Sequence, residues 1–137
     1  QPHFVVNGFG IDNPIEGMDG IHQQSVDILI QTIRNDYNNG IRSVMLFGIV
    51  NSENKDEQAT KASDASSHMH EAIRKLKSEF GESIVVMTDV CLCTATNHGH
   101  CGLVEHGHIV NDASVERLCE IAVSHAEAGA DLLLHPA

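Results

Sequence analysis

This sequence predicts an α/β fold built on parallel strands, on the strength of three observations. Short apolar runs recur along the chain: FVV (4–6), SVMLFGI (43–49), SIVVMTDV (83–90) and ADLLLHP (130–136). The last three are almost continuously hydrophobic, as strands covered on both faces are. Segments with apolar residues at helical spacing separate the runs. The resulting order, β-α-β-α-β-α-β, becomes a parallel sheet through right-handed helical crossovers.

Two architectures share that order. A complete (β/α)8 TIM barrel takes about 250 residues, so this length would supply a partial barrel of about four βα units. A small doubly wound parallel sheet is the alternative, and 137 residues are natural for it. Periodicity does not choose between them. Either way, 1–137 reads as a single domain with enough aliphatic residues for its own core.

Each element has its own signature. In HQQSVDILIQTIRNDYNNG, residues Val26, Leu29, Ile30, Ile33 and Tyr37 fall on one helical face, and Gly40 is the expected stop. The stripe of the second helix is Met69, Ile73, Leu76 and Phe80, ended by Gly81. The third is read as Val115, Leu118, Cys119, Ala122, Val123 and Ala126, with Asn111 or Asp112 as cap and Gly129 as stop. Cys119 is then a small core hydrophobe. NSENKDEQATKASDASS (51–67) has no apolar period and reads as a long, mobile loop at the C-terminal edge of the sheet.

Composition narrows the function classes. With 19 acidic and 8 basic residues the formal charge is −11, which argues against nucleic acid and anionic membrane surfaces. No apolar run is long enough to span a bilayer. No secretory or transit segment is visible, so a cytosolic setting is expected, with a plastid as the other option. The chain begins at Gln1 without Met, which suggests a processed N-terminus or a piece of something longer. Four cysteines could form two disulfides, but a sizeable core and the one-residue gap between Cys91 and Cys93 favour reduced thiols available to a metal.

The chemistry concentrates in DVCLCTATNHGHCG (89–102). Residues two apart on an extended chain point the same way, so Cys91 and Cys93 can face one point at the end of the third strand. Cys101 returns after the NHGH turn. Three soft ligands suit zinc with one open position, and His98 or His100 could instead close the site. Asp89, at the strand end, could hydrogen-bond a ligand or a substrate amine. A redox pair is disfavoured, because C-x-x-C is the usual arrangement. The second HGH (106–108) reads as exposed loop histidines, and His3, His22, His68, His70 and His125 receive no role.

Those residues resemble the porphobilinogen synthase (δ-aminolevulinic acid dehydratase) family. DVCLCTATNHGHCG resembles its zinc segment, NPIEGMDGIHQQSVD its entry into the first helix, VMLFGIV with KDE its second strand and loop, and LCEIAVSHAEAGADLL the helix before its fourth strand. The resemblance runs over nearly the whole chain. It implies the N-terminal half of a (β/α)8 barrel from an oligomeric lyase of haem biosynthesis, which condenses two molecules of 5-aminolevulinate into porphobilinogen. It makes Cys91, Cys93 and Cys101 ligands of Zn2+ and puts Asp89 near the substrate amine. It also implies that the family's two Schiff-base lysines lie on later strands, beyond Ala137. The lysines here, Lys55, Lys61, Lys75 and Lys77, fall in the polar loop and on a helix. His135 stands where the family has a small residue. A four-stranded piece with open edges at FVV and DLLLH should associate, so a homo-oligomer is expected.

Overall fold

The structure, a computed structural model, describes residues 1–135. It contains β1 (Pro2–Val6), β2 (Asp12–Pro14), β3 (His22–Ser25), α1 (Val26–Asn38), β4 (Ser43–Ile49), α2 (His68–Phe80), β5 (Val85–Asp89), β6 (Val104–Glu105), β7 (His108–Ile109), α3 (Asn111–Ala128) and β8 (Leu132–Leu134). The main sheet has the order β2-β3-β1-β4-β5-β8. Every pairing in it is parallel except β2 with β3.

The strands alternate between two unequal faces. Val5, Val44, Leu46 and Val86 are buried and pack against Val26, Leu29, Ile30 and Ile33 of α1 and Met69, Ile73 and Leu76 of α2. Thr88 points the same way and meets His125 of α3. Phe4, Met45, Phe47 and Met87 occupy the opposite face and are only half-buried, with Phe4 and Phe47 stacked at 5.1 Å between ring centroids. All three helices therefore cover one face of a mostly parallel arc. A doubly wound sheet would carry helices on both, whereas one-sided cover is how a (β/α)8 barrel is layered. The fold is a partial barrel.

Several expectations change. The segment His22–Ser25, read as the start of the first helix, is a strand that runs directly into α1. It is polar because it lies near the rim: Gln24 donates to Asp12 and Thr32, and the Ser25 hydroxyl accepts from the Ile11 amide. With β3 and β2 beyond it, FVV is interior rather than an open edge.

The stripe of α3 is also different. Leu118 and Ala122 pack against the core as expected and Ser114, Ile121 and His125 are buried, while Val115 and Val123 are 49% and 57% exposed and Cys119 is exposed. The inward face is marked by a serine and a histidine, which a count of apolar residues passes over. The cap of α3 is Val110, and Asn111 and Asp112 lie in the first turn. The stops are where they were expected: Gly81 and Gly129 cap α2 and α3 with positive φ, and Gly40 follows α1.

The segment 51–67 is tied down, contrary to the mobility expected of it. It carries two 3-10 turns, at Ser52–Asn54 and Thr60–Ser63. Asp56 bridges to Thr96, and the Asp56 carboxylate accepts from the amides of Gln58 and Thr60. Arg117 of α3 donates to the carbonyls of Gln58 and Ala59 and to the Ser63 hydroxyl. Among the described residues, no helix is long and apolar enough to cross a membrane.

Candidate metal centre

The strand β5 ends at Asp89, and the chain then leaves the sheet. Leu92 fixes its path. That side chain is fully buried in a second cluster with Val50, Ala59, Val90, Ala95, Leu103 and Ile121. Anchoring Leu92 inward leaves Cys91 and Cys93, on either side of it, free to turn together. The amides of Ala95 and Thr96 both donate to the Leu92 carbonyl, closing a tight turn. The Thr96 hydroxyl donates to the His100 carbonyl, and Gly99 supplies the positive φ of +73° that brings the chain back.

Cys101 arrives beside the other two thiols. The Cys91 sulfur is 3.2 Å from that of Cys93 and 3.3 Å from that of Cys101. Among the described residues, these three form the one group of metal-capable side chains whose ligand atoms all lie within 4.8 Å of one another. Their burial is graded: Cys91 is buried, Cys93 half-buried and Cys101 exposed. One flank of the cluster is thus closed by protein and the other opens outward, as a site with a free coordination position requires. Burial, together with the neighbouring sulfurs, pushes the Cys91 thiol up to about 12 and raises that of Cys93. A soft divalent ion matches this all-sulfur donor set and would displace the protons.

The two histidines of the turn stand outside the group. His98 accepts the His100 amide through Nδ1 at 3.2 Å, and its Nε2 is buried without a partner among the described residues. The His100 ring lies 5.3 Å from that of His98. Asp89 is half-buried, and burial raises its carboxyl above the usual range, opposed by the charge of His135. His135 donates from Nδ1 to the Val90 carbonyl at 2.9 Å, placing an imidazole at the end of β8 beside this carboxyl.

A narrow cleft of about 30 Å3 joins Asp89 and Cys91 to Thr94, Lys61, Ser67 and His68. The last three were not anticipated as site residues. The signal was there in outline, since a loop following a parallel strand lies at the ligand-binding edge. Which of its side chains turn inward depends on the Asp56 bridge and the Arg117 clamp, and those contacts join positions far apart in the sequence.

Comparison with known proteins bears directly on this arrangement. The family model for delta-aminolevulinic acid dehydratase matches residues 1–136. The chain belongs to the delta-aminolevulinic acid dehydratase family. It is 42% identical over 132 residues to the delta-aminolevulinic acid dehydratase of Bacillus subtilis (strain 168), covering 96% of this chain and 40% of the relative. It is 44% identical over 134 residues to that of Methanothermobacter thermautotrophicus, with the same coverages. A solved structure of delta-aminolevulinic acid dehydratase (porphobilinogen synthase) from Toxoplasma gondii ME49, in complex with the reaction product porphobilinogen, superposes with a TM-score of 0.92 at 32% identity. That match covers 98% of this chain and 38% of the other. The chain therefore spans about two-fifths of the length of the dehydratases it matches.

Proposed function

We propose that this chain is the metal-binding half of a dehydratase barrel that acts on 5-aminolevulinate, with Zn2+ held by Cys91, Cys93 and Cys101. The observation that carries the reading is the convergence of three thiols at the C-terminal end of β5, beside Asp89. That end of a parallel barrel is where catalytic groups gather.

When bound, the metal supplies a Lewis acid, or a water of lowered pKa, next to a substrate carbonyl. The chain's own residues do the rest of the positioning. Leu92 locks the loop so that the sulfurs stay convergent. The Asp89 carboxyl, at the mouth of the cleft, accepts a hydrogen bond from the substrate amine. Its burial keeps water from competing for that bond.

The covalent half of the reaction is a different matter. Holding a substrate carbonyl as an iminium needs a desolvated amine. Lys61, Lys75 and Lys77 are each ion-paired, with Asp64, Glu71 and Asp131. Neither they nor Lys55 lie on a strand. This favours, as a second reading for the 137 residues taken alone, a zinc-binding half-barrel that scaffolds or stores metal without turnover.

Two measurements test these readings. Purified protein should carry about one zinc per chain. The Cys91→Ala, Cys93→Ala double variant should lose it, and Cys119→Ala should keep it; equal zinc in wild type and double variant would end the metal reading. Incubation with 5-aminolevulinate and zinc, then borohydride and mass spectrometry, should show neither porphobilinogen nor a lysine adduct for these 137 residues. Finding both would show that the half-barrel contains its own amine site.

A further inference from the structure

Ala59 is held in a strained backbone conformation. Its φ of +52° and ψ of +41° lie in the left-handed region, where a Cβ crowds the following carbonyl oxygen. Among the described residues, His106 is the other non-glycine residue with positive φ. His106 is exposed in the two-residue turn between β6 and β7, with Gly107 after it, and a tight hairpin calls for positive φ at both positions. Ala59 has no hairpin to serve. It is fully buried, in the same cluster as Leu92 and Ala95 of the thiol loop.

Hydrogen bonds bracket the strained residue. The Asp56 carboxylate accepts from the amides on either side of it, that of Gln58 at 3.1 Å and that of Thr60 at 2.9 Å. From α3, Arg117 donates to the Gln58 carbonyl at 2.8 Å, to the Ala59 carbonyl at 3.0 Å and to the Ser63 hydroxyl at 2.7 Å. The Arg117 side chain is only 12% exposed, so water competes poorly for these bonds. Strain of this kind persists only where the surroundings over-determine it, and here a carboxylate and a guanidinium do so. The same stretch is bonded to the thiol loop. The Asp56 amide donates to the Ala95 carbonyl, and the Asn97 amide donates to the Asp56 carbonyl. Cys91 and Cys93 come just before these bonded residues and Cys101 just after them.

We propose that Asp56 and Arg117 are positioning residues of the thiol centre: they hold Ala59 in its left-handed turn, and that turn keeps the loop carrying Cys91, Cys93 and Cys101 in the shape that makes the sulfurs converge. The role rests on the metal reading above. Neither side chain is a ligand; both act through residues 95–97 and the Leu92 cluster. The strain is what makes the clamp necessary. Without Arg117, Ala59 relaxes toward negative φ, which draws it out of the Leu92 cluster and pulls the Asp56 bridge with it.

The test uses Co2+, which reports a thiolate site through a sulfur-to-metal charge-transfer band and its geometry through visible d–d bands. Wild type, titrated in the presence of a non-thiol reductant, should show both. Arg117→Met should weaken Co2+ binding about tenfold, as the loss of a charged hydrogen bond would, and should shift the d–d bands. Arg117→Lys, which keeps the charge without the planar fork, should recover part of the loss. Adding Ala59→Gly to Arg117→Met should restore most of the affinity and the original bands, because glycine holds a left-handed turn unaided. A merely structural role for Arg117 would lower the urea midpoint and leave the bands of the folded protein unchanged. Should Arg117→Met not fold, Asp56→Ala with and without Ala59→Gly makes the same comparison. Wild-type affinity and bands in the folded variant, or a loss that Ala59→Gly does not repair, would overturn the positioning role and leave the metal reading standing. A wild type without the charge-transfer band would overturn the metal reading, and this role with it.

Discussion

At the scale of single residues, the site depends on small side chains as much as on sulfur. Gly102 follows Cys101, and a Cβ at that position would lie 2.5 Å from Ile109 Cγ2 and 3.1 Å from Ser114 Oγ. Ser114 is occupied there, accepting the Leu103 amide at 2.8 Å and donating to the Val110 carbonyl. Gly102→Ala must therefore push the Cys101 strand of the loop away from α3. The expected cost is about 1–3 kcal/mol of stability, typical of overpacking, with weakened zinc binding, read by thermal melts and metal competition. A variant that melts and binds like wild type would show that the loop position is slack. The three cysteines were legible in the sequence because residues two apart share a direction and a turn brings the third back. Gly102 was not, since its neighbours Ile109 and Ser114 approach only after the hairpin of β6 and β7 has folded.

At the scale of elements, two buried imidazoles join what the sheet leaves separate. Ser124 donates its hydroxyl to the Ile121 carbonyl, so it accepts from His70 Nε2 at 3.0 Å. His70 Nδ1 then accepts the Ser67 hydroxyl at 2.8 Å. His125 packs edge-on against His70 at 5.1 Å and shares a hydrogen bond with Thr88. The pair thus ties α2, α3, β5 and the loop 51–67 into one unit. Burial, and then the neighbouring His70, lower the His125 pKa from 6.5 to about 4. Burial lowers His70 as well, with Arg74 and His68 adding to the shift and Asp64 opposing it.

A lowered histidine pKa means that the folded protein binds fewer protons than the unfolded chain. Stability from this source is complete above pH 6.5 and is lost as the pH falls toward about 4. The loss from His125 is about 3 kcal/mol at most. Urea midpoints should fall over this window, and His125→Gln should flatten the fall; an equally steep profile in the variant would place the proton uptake elsewhere. Neither histidine was legible as a core residue. A polar side chain on a buried face breaks the apolar period that reveals it, which is why on α3 the expected Leu118 and Ala122 do pack inward but Val115, Cys119 and Val123 do not, while the faces of α1 and α2 were read correctly.

At the scale of the whole molecule, the alternation of apolar runs was enough for the class of fold but not for its layering. Helix spacing says that a face is buried and not which side of the sheet it covers. That became visible only from Phe4, Met45, Phe47 and Met87, which share a face no helix covers. The strands β2 and β3 were missed because rim strands rich in Asp, Asn, Gln and Ser lack an apolar signature. They alter the expected assembly. On one side the sheet ends in β2, three exposed residues with an acid at one end and a proline at the other. On the opposite side the last strand among the described residues is β8, three exposed leucines.

Among the described residues, then, the sheet has one edge suited to strand pairing. An edge carrying Asp12 and Pro14 resists a new strand, whereas an edge of exposed leucines accepts one. Two chains can join β8 to β8 about a two-fold axis, and the product has no further leucine edge to offer. Association should saturate at dimers instead of growing into filaments. Light scattering across a concentration series should fit a monomer–dimer equilibrium, and Leu133→Lys should shift it toward monomer. A mass that keeps rising with concentration would mean that the β2 end also pairs.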